Sequence, residues 1–170
     1  MSISTGAGDG GNTGLTGALP RLSKDHPRIE CLGVLDELSA FIGDARCIAA
    51  EERTGSILEA VQRDLFVMAG ALAGSGSAPP GMERLNSWVG ELEAAAPGGG
   101  FVIPGANAPS ARLHIARTVC RRAERRLTAL ARREAETAPP DGALPPAGPF
   151  IPYINRLSDL LFLLARKAEV

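Results

Sequence analysis

Five stretches of this chain repeat apolar residues every three to four positions, and this period constrains the fold more than any other feature. The stretches fall at about 27–49, 54–73, 82–96, 109–134 and 151–168. No stretch alternates apolar and polar residues for long enough to predict a secure strand. Most connections between the stretches have about a dozen residues or fewer, which favours antiparallel neighbours. The sequence therefore predicts an all-α protein, a five-helix antiparallel bundle of up-and-down type.

Charge and cysteine content exclude several classes of protein. Lys and Arg number 18 against 19 Asp and Glu, so no net basic field points to nucleic acid as a partner. Cys31, Cys47 and Cys120 lie inside helical patterns without a CxxC pair, and we expect buried thiols in a reducing cytoplasm rather than disulfides or zinc ligands. No Glu-x-x-His pair supports a di-iron centre. Neither a signal sequence nor a membrane-spanning run is apparent, which predicts a cytoplasmic protein without a membrane span.

Glycine, serine and threonine dominate residues 1–24, which we expect to form a segment separate from a bundle domain at 25–170. Closely spaced glycines let backbone N–H groups converge on an anion, and Thr5, Thr13 and Thr16 offer hydroxyl donors. The segment matches neither the Walker A loop nor the dinucleotide fingerprint. Two interpretations remain open, a phosphate cradle and a flexible glycine-rich tail.

The fourth predicted helix carries Arg117, Arg121 and Glu124 on one flank of its apolar stripe. A charged flank beside a buried edge can hold an anion without loss of packing. The alternative is a solvated face with ion pairs three and four residues apart. His114 lies one turn before Arg117, and we expect it to form structural hydrogen bonds.

Three further features suggest a binding site. Asp36 lies on a helix side of small residues, which favours close approach by another subunit or a ligand over a plain exposed face. Asn155, Ser158 and Asp159 share one side of the last helix, either as ligand groups or as ordinary polar residues of a first turn. The apolar run 101–103 sits in a loop, where it either tucks under the bundle or lines an apolar ligand. Together these features suggest a nucleoside triphosphate site beside a bulky hydrophobic one.

Five segments, in order along the chain, resemble the signature segments of the PduO-type ATP:cob(I)alamin adenosyltransferases. They are Ser23–Glu30, Asp36–Leu38, Phe101–Gly105, Arg117–Arg126 and Tyr153–Phe162. The resemblance implies a ferritin-like bundle that forms a homotrimer with active sites between subunits. It implies transfer of the 5′-deoxyadenosyl group from ATP to Co(I) of cobalamin, with triphosphate leaving. A non-catalytic corrinoid- or ATP-binding protein, or one that delivers adenosylcobalamin, is the alternative.

The resemblance also implies roles for individual residues. Those expected to contact ATP and its Mg²⁺ are Thr5, Gly8, Asp9, Gly11, Thr13, Lys24, Arg121, Glu124, Arg125 and Asn155. Arg121, Glu124 and Phe101 are the expected catalytic residues, with Glu124 as the candidate protein ligand of Mg²⁺. Phe101 is expected to press on the lower face of cobalamin and exclude a lower ligand from cobalt.

Other implied roles concern assembly and partners. Asp36 is expected to pair with Arg117 across the subunit interface, whereas Arg156, Ser158 and Asp159 have structural and interface roles. The implied partners are a reductase that supplies Co(I) and an enzyme that uses adenosylcobalamin.

Four positions of the glycine-rich segment depart from the family pattern. Gly6 replaces a basic residue, Gly10 a charged residue, and Ala7 and Asn12 replace threonines. One cation and two hydroxyl groups that would face phosphate are therefore missing. Each lost charge-assisted hydrogen bond costs about 1.5 to 3 kcal/mol, so we expect weaker ATP binding than is usual in the family.

Overall fold

The computed structural model describes residues 4–16, 19, 21–95, 102–137 and 144–170, and within them five α-helices form an antiparallel bundle. The helices are α1 (Pro27–Cys47), α2 (Glu52–Leu72), α3 (Glu83–Ala95), α4 (Ala108–Glu136) and α5 (Ile151–Lys167). A short 3₁₀ turn, Gly148–Phe150, precedes α5. The predicted fold class is thus confirmed, with helix ends within two residues of those expected.

Two helix starts show why the chain turns where it does. The Arg28 amide donates to His26 Nδ1 at 3.1 Å, which caps α1 just before Pro27. The Ser110 amide donates to Asn107 Oδ1 at 2.9 Å, which caps α4. In both helices the side-chain acceptor satisfies an amide that has no partner within its own helix.

The core lies where the sequence period places it. α1 packs against α2 and α4, α4 packs against α5, and α5 packs against α3. Cys31 and Cys120 are buried as expected, and all three cysteines are free thiols. The expectation for Cys47 was wrong, because this residue is exposed. It follows the last buried stripe residue of α1, Ala45, by two positions and therefore lies about 200° around the helix from it.

Three ion pairs join the exposed edges of α1 and α4 and show which side of α4 faces α1. The α1 members are seven residues apart and hence lie on one face. The pairs are Glu30–Arg126, Glu37–Arg122 and Asp44–Arg112. Three arginines of α4 are thus paired within the protomer. Arg121 and Arg125 each precede a paired arginine, Arg122 and Arg126, by one position and are not part of this row.

Within the described ranges, no helix combines the length and apolar character needed to cross a membrane.

Candidate functional site

The described part of the glycine-rich segment forms a hairpin, which we call the N-terminal hairpin (residues 4–16 and 21–24). Two antiparallel strands, β1 (Asn12–Thr13) and β2 (Leu22–Ser23), close it, with Asn12 opposite Ser23. The Lys24 amide also donates to Gly11 O at 2.8 Å. These strands have two residues each, so they are too short to be predicted from an alternation of apolar and polar residues. The described residues are folded back on themselves rather than extended as a tail.

Backbone turns shape the tip of the hairpin. The Asp9 amide donates to Gly6 O at 3.1 Å, and the Gly11 amide donates to Gly8 O at 3.2 Å. Gly6 and Gly11 have φ angles of 67° and 78°, in the left-handed region that favours glycine. The ammonium group of Lys24 lies over Gly8, where an added Cβ would come within 3.2 Å of Nζ. A cation thus lies directly above a glycine turn, an arrangement that suits a phosphate group.

Arg21 braces this hairpin from within and was not identified by the sequence analysis. Its Nη2 donates to Ala7 O at 2.7 Å and to Asn12 O at 2.8 Å. The guanidinium group therefore ties the tip of the hairpin to β1. The available signal was an arginine in a segment with few charged residues, but its carbonyl partners could not be inferred from spacing.

Thr16 anchors the hairpin to the bundle. Its amide and its hydroxyl both donate to Ala73 O, at 3.2 Å and 2.6 Å. Ala73 follows the last residue of α2, where carbonyl groups lack partners within the helix. Thr16 therefore acts as a structural anchor, whereas Thr5 and Thr13 lie nearer the glycine turns. Thr5 is exposed and Thr13 is half-buried.

The expected anion-binding residues of α4 have no charged partner among the described residues. Arg121 and Arg125 are exposed and Glu124 is half-buried, and none of their side chains forms an ion pair there. Arg121 and Arg125 are four residues apart, a spacing at which like charges repel. Neighbouring Arg122 is paired with Glu37. Two adjacent guanidinium groups without carboxylate partners are suited to bind an anion such as phosphate.

The polar residues of α5 differ in their exposure to solvent. Asn155 and Asp159 are exposed, but Ser158 is buried with 5% of its surface accessible. Arg156 Nη1 lies 3.3 Å from Asp159 Oδ2, an ion pair one turn along the same helix. Asn155 therefore remains the member of this group that is available to a ligand. The structural roles expected for Arg156, Ser158 and Asp159 stay predictions.

Arg117 is held within the protomer by two rings. Its Nε donates to His114 Nδ1 at 3.3 Å, and its guanidinium carbon lies 6.0 Å from the centre of the Phe162 ring. The His114 and Phe162 rings are 6.1 Å apart. Asp36 is exposed on α1 and, among the described residues, neither it nor Arg117 has an ion-pair partner. Their pairing across an interface stays a prediction.

His114 forms the structural hydrogen bond expected of it. Because Nδ1 accepts from Arg117, the neutral ring carries its proton on Nε2, which is buried without a hydrogen-bond partner among the described groups. Nε2 lies 3.8 Å from Glu169 Oε1. Burial, and secondarily the charge of Arg117, lower the pKa of His114, although Glu169 acts in the opposite direction.

This burial predicts a loss of stability on acidification. The folded-state pKa of His114 is below its unfolded value, so its contribution is complete above about pH 6.5 and is lost as the pH falls through the folded pKa. We expect His114→Asn to reduce the pH slope of the unfolding free energy below pH 6.5, by at most about 1.4 kcal/mol per pH unit. Urea unfolding between pH 5 and pH 7.5 measures this slope.

His26→Asn is the matched comparison for that experiment. Burial and the nearby Arg133 and Arg28 also lower the pKa of His26, and asparagine can still cap α1. Each single variant should therefore remove part of the slope, and the double variant should remove more than either. An unchanged slope in His114→Asn would contradict the assignment of a buried neutral ring.

Phe101 lies outside the described residues, so its predicted position against cobalamin is not tested. Two residues later, Ile103 is 90% exposed, whereas Val102 is half-buried. The apolar run does not tuck under the bundle at Ile103. An exposed isoleucine in this loop is consistent with the other interpretation, an apolar ligand surface.

This chain is similar to known proteins over nearly its whole length. The sequence model for cobalamin adenosyltransferase matches residues 3–168. The corrinoid adenosyltransferase PduO of Salmonella typhimurium is 41% identical over 180 residues, which cover 99% of this chain and 50% of that protein. This chain therefore spans about half the length of that relative. The cobalamin adenosyltransferase of Cupriavidus metallidurans is 40% identical over 172 residues, covering 96% of this chain and 86% of the relative.

A solved structure has the same fold. A variant of the PduO-type ATP:corrinoid adenosyltransferase of Lactobacillus reuteri, complexed with cobalamin and ATP, aligns with a TM-score of 0.84 and 27% identity. The alignment covers 99% of this chain and 93% of that one. It therefore includes the N-terminal hairpin as well as the bundle.

Proposed function

This chain belongs to the cobalamin adenosyltransferase family, and from this we propose that it transfers the 5′-deoxyadenosyl group of ATP to Co(I) of cobalamin, releasing triphosphate. The observation that carries the proposal is the N-terminal hairpin, in which Lys24 lies over Gly8. The hairpin leads directly into α1, whose first two turns contact α4 through Arg28 and Glu30. The cation of the hairpin and the two α4 arginines without an ion-pair partner in the described ranges, Arg121 and Arg125, thus belong to neighbouring elements.

ATP binding follows from the charges of these elements. Glycine amides of the hairpin and the Lys24 ammonium would hold the triphosphate, together with Arg121 and Arg125, while Asn155 would hydrogen-bond the nucleoside. Thr5, Asp9 and Thr13 would complete the hairpin contacts.

Magnesium would be held mainly by the phosphate oxygens. Among the described residues, no group of three or more His, Cys, Asp or Glu side chains could form a protein-only metal site. Glu124 is half-buried, and its carboxylate has no described partner, so it fits the role of a single protein ligand. The ion would neutralise charge on the phosphates.

The chemical step needs little from the protein beyond alignment and charge stabilisation. Co(I) supplies the electron pair for a new bond to the ribose 5′ carbon, and the bond from that carbon to oxygen breaks with its electrons leaving on triphosphate. The positive groups around the triphosphate stabilise that developing charge. Phe101 would assist by exclusion of a lower ligand from cobalt, and the bundle would hold the two substrates in line.

We further propose that the working unit is a homotrimer with the site between subunits. Asp36 and Arg117 are the proposed pair at each interface. A reductase would supply Co(I), and an adenosylcobalamin-dependent enzyme would receive the product.

An anaerobic assay of Co(I) cobalamin with MgATP tests the enzyme proposal. The expected result is ATP-dependent loss of Co(I) absorbance with formation of adenosylcobalamin. Absence of any ATP-dependent product would overturn it. Binding of both ATP and adenosylcobalamin without turnover would support the alternative, a non-catalytic corrinoid-binding or delivery protein.

The altered hairpin tip gives a prediction about ATP affinity. Gly10→Lys adds a cation where an added Cβ meets no atom within 4 Å, so we expect MgATP to bind about tenfold more tightly. Gly6→Lys adds the same charge at a φ of 67°, where a side chain costs about 1 to 2 kcal/mol, so we expect little gain. Isothermal titration with MgATP measures both. Equal affinities for the two variants would contradict this account of the hairpin.

A further inference from the structure

We infer that Arg28 and Glu134 are positioning residues that hold the N-terminal hairpin in place for ATP, an inference that rests on the proposed function. Arg28 is only 3% exposed, which is unusual for an arginine unless it is paired. Its guanidinium group has three partners, the carbonyl oxygens of Leu72 and Pro145, at 2.8 Å and 3.0 Å, and the Glu134 carboxylate. One side chain of α1 thus contacts the end of α2, the end of α4 and the segment before α5.

Glu134 extends this connection. Its Oε1 accepts from Arg28 and its Oε2 accepts from the Ala147 amide at 2.8 Å. The carboxylate therefore binds both the buried arginine and the backbone that leads into α5. Within the described residues this pair joins four separate parts of the chain.

The junction also contains the anchor of the hairpin. Leu72, whose carbonyl binds Arg28, is followed by Ala73, whose carbonyl binds both the amide and the hydroxyl of Thr16. Next comes Gly74, with a φ of 89°, and a Cβ there would lie 2.4 Å from Leu19 Cδ1 and 3.5 Å from Thr16 Oγ1. The end of α2, fixed by Arg28, is therefore the surface on which the outgoing end of the hairpin rests.

The returning end of the hairpin reaches the same arginine through the chain. Lys24 precedes the cap residue His26, whose Nδ1 accepts from the Arg28 amide. The Arg28 side chain thus fixes the end of α2 that holds Thr16, and its backbone amide binds the cap residue two positions after Lys24. A shift of this residue would move the Lys24 ammonium relative to the glycine turns.

The free energy of a buried ion pair distinguishes a positioning role of Arg28 and Glu134 from a role in folding stability. A buried ion pair often contributes no more to folding than an apolar pair of similar size, because burial removes the hydration of both charges. Removing one partner alone would leave an uncompensated charge, but removing both need not unfold the protein. The double variant Arg28→Met/Glu134→Leu therefore tests placement of the hairpin rather than survival of the fold.

Hydrogen exchange without ligand is the first measurement. In the double variant we expect the Thr16 and Lys24 amides to exchange at least about tenfold faster, while core amides of α4 and α5 keep their rates. Arg28→Lys is the second variant, since lysine keeps the charge but lacks the planar fork that reaches three acceptors. Arg28→Lys should also speed exchange of the Thr16 and Lys24 amides, but by a smaller factor than the double variant. Unchanged rates for Thr16 and Lys24 in both variants would overturn the inference.

Kinetics are the second measurement. We expect KM for ATP to rise about tenfold with kcat at saturating ATP within about twofold, and KM for cobalamin to be unchanged. Faster exchange with an unaltered KM for ATP would overturn the link between positioning and ATP. If the wild-type protein does not transfer the adenosyl group, the proposed function is wrong. The exchange rates would still test whether Arg28 and Glu134 hold the hairpin, because they are measured without substrate.

Arg84→Met is the matched control. Arg84 of α3 donates to both carboxylate oxygens of Asp64 at 2.7 Å, so this variant also breaks an ion pair between elements of the bundle. Asp64 keeps its hydrogen bond from Tyr153. This variant should leave both the hairpin exchange rates and KM for ATP unchanged. Faster hairpin exchange and a higher KM for ATP in Arg84→Met would show that loss of any ion pair between helices has this effect. That result would overturn a specific role for Arg28.

Discussion

Arg121→Ala is expected to lower kcat/KM for adenosyl transfer by about 100- to 1,000-fold, the usual effect of losing one donor that stabilises developing charge. Arg121 is exposed on α4 and, among the described residues, no carboxylate neutralises it. In the proposed reaction its guanidinium is therefore available to the triphosphate, whose negative charge would grow as the bond to the 5′ carbon breaks. Initial rates of Co(I) consumption at varied MgATP measure the effect.

Arg122→Ala is the control for this variant. Arg122 is the next residue and carries the same charge, but it is paired with Glu37 of α1. Loss of a partly exposed ion pair costs about 0 to 1 kcal/mol of stability and removes no group assigned to ATP. A comparable fall in kcat/KM for both variants would mean that the charge of α4 acts as a whole, and the assignment of Arg121 would be wrong.

The sequence could not show which arginines of α4 form ion pairs with α1 and which do not. The apolar period predicted the helix and its buried stripe because that period depends only on local spacing. Whether Arg121 or Arg122 is paired depends on how α4 is rotated against α1, which brings Glu37 to the second and not the first. The resemblance to a family pointed to Arg121, and the pairing gives a physical reason for that choice.

The buried Arg28 and the bracing Arg21 show a second limit. Arg28 lies at the start of α1, where a charged residue is normally assumed to be exposed. Its partners lie 44 to 117 residues away, so no local pattern indicates them. Arg21 binds two backbone carbonyls, and carbonyl groups carry no sequence signal. Long-range polar contacts of this kind required the structure.

Charge reversal at Asp36 is expected to prevent assembly and to lower activity at least about 100-fold, if the site lies between subunits as proposed. Asp36 is exposed on α1, and on the same helix face Gly33 has open space around it, with no atom within 4 Å of an added Cβ. Arg117 is already oriented by His114 and Phe162, so little conformational entropy would be lost when an acid from another subunit binds it. Sedimentation velocity and the Co(I) assay measure the two effects.

Asp44→Arg is the matched reversal on the same helix. Asp44 pairs with Arg112 of its own protomer at 2.7 Å, so this variant breaks an internal pair and should leave the oligomeric state unchanged. A trimeric, fully active Asp36→Arg protein would contradict the proposed interface. The comparison separates a specific contact between subunits from a general effect of added positive charge on α1.

The exchanged pair, Asp36→Arg with Arg117→Asp, provides the stronger test. Each single reversal places like charges opposite one another at every interface, whereas the double variant restores opposite charges. Close charge pairs between proteins have coupling energies of about 1.5 to 7 kcal/mol, so the recovery of assembly should be large. Activity should recover less than assembly, because an aspartate at position 117 loses the Nε donation to His114 and the contact with the Phe162 ring. Recovery of neither property would mean that the two residues do not face each other.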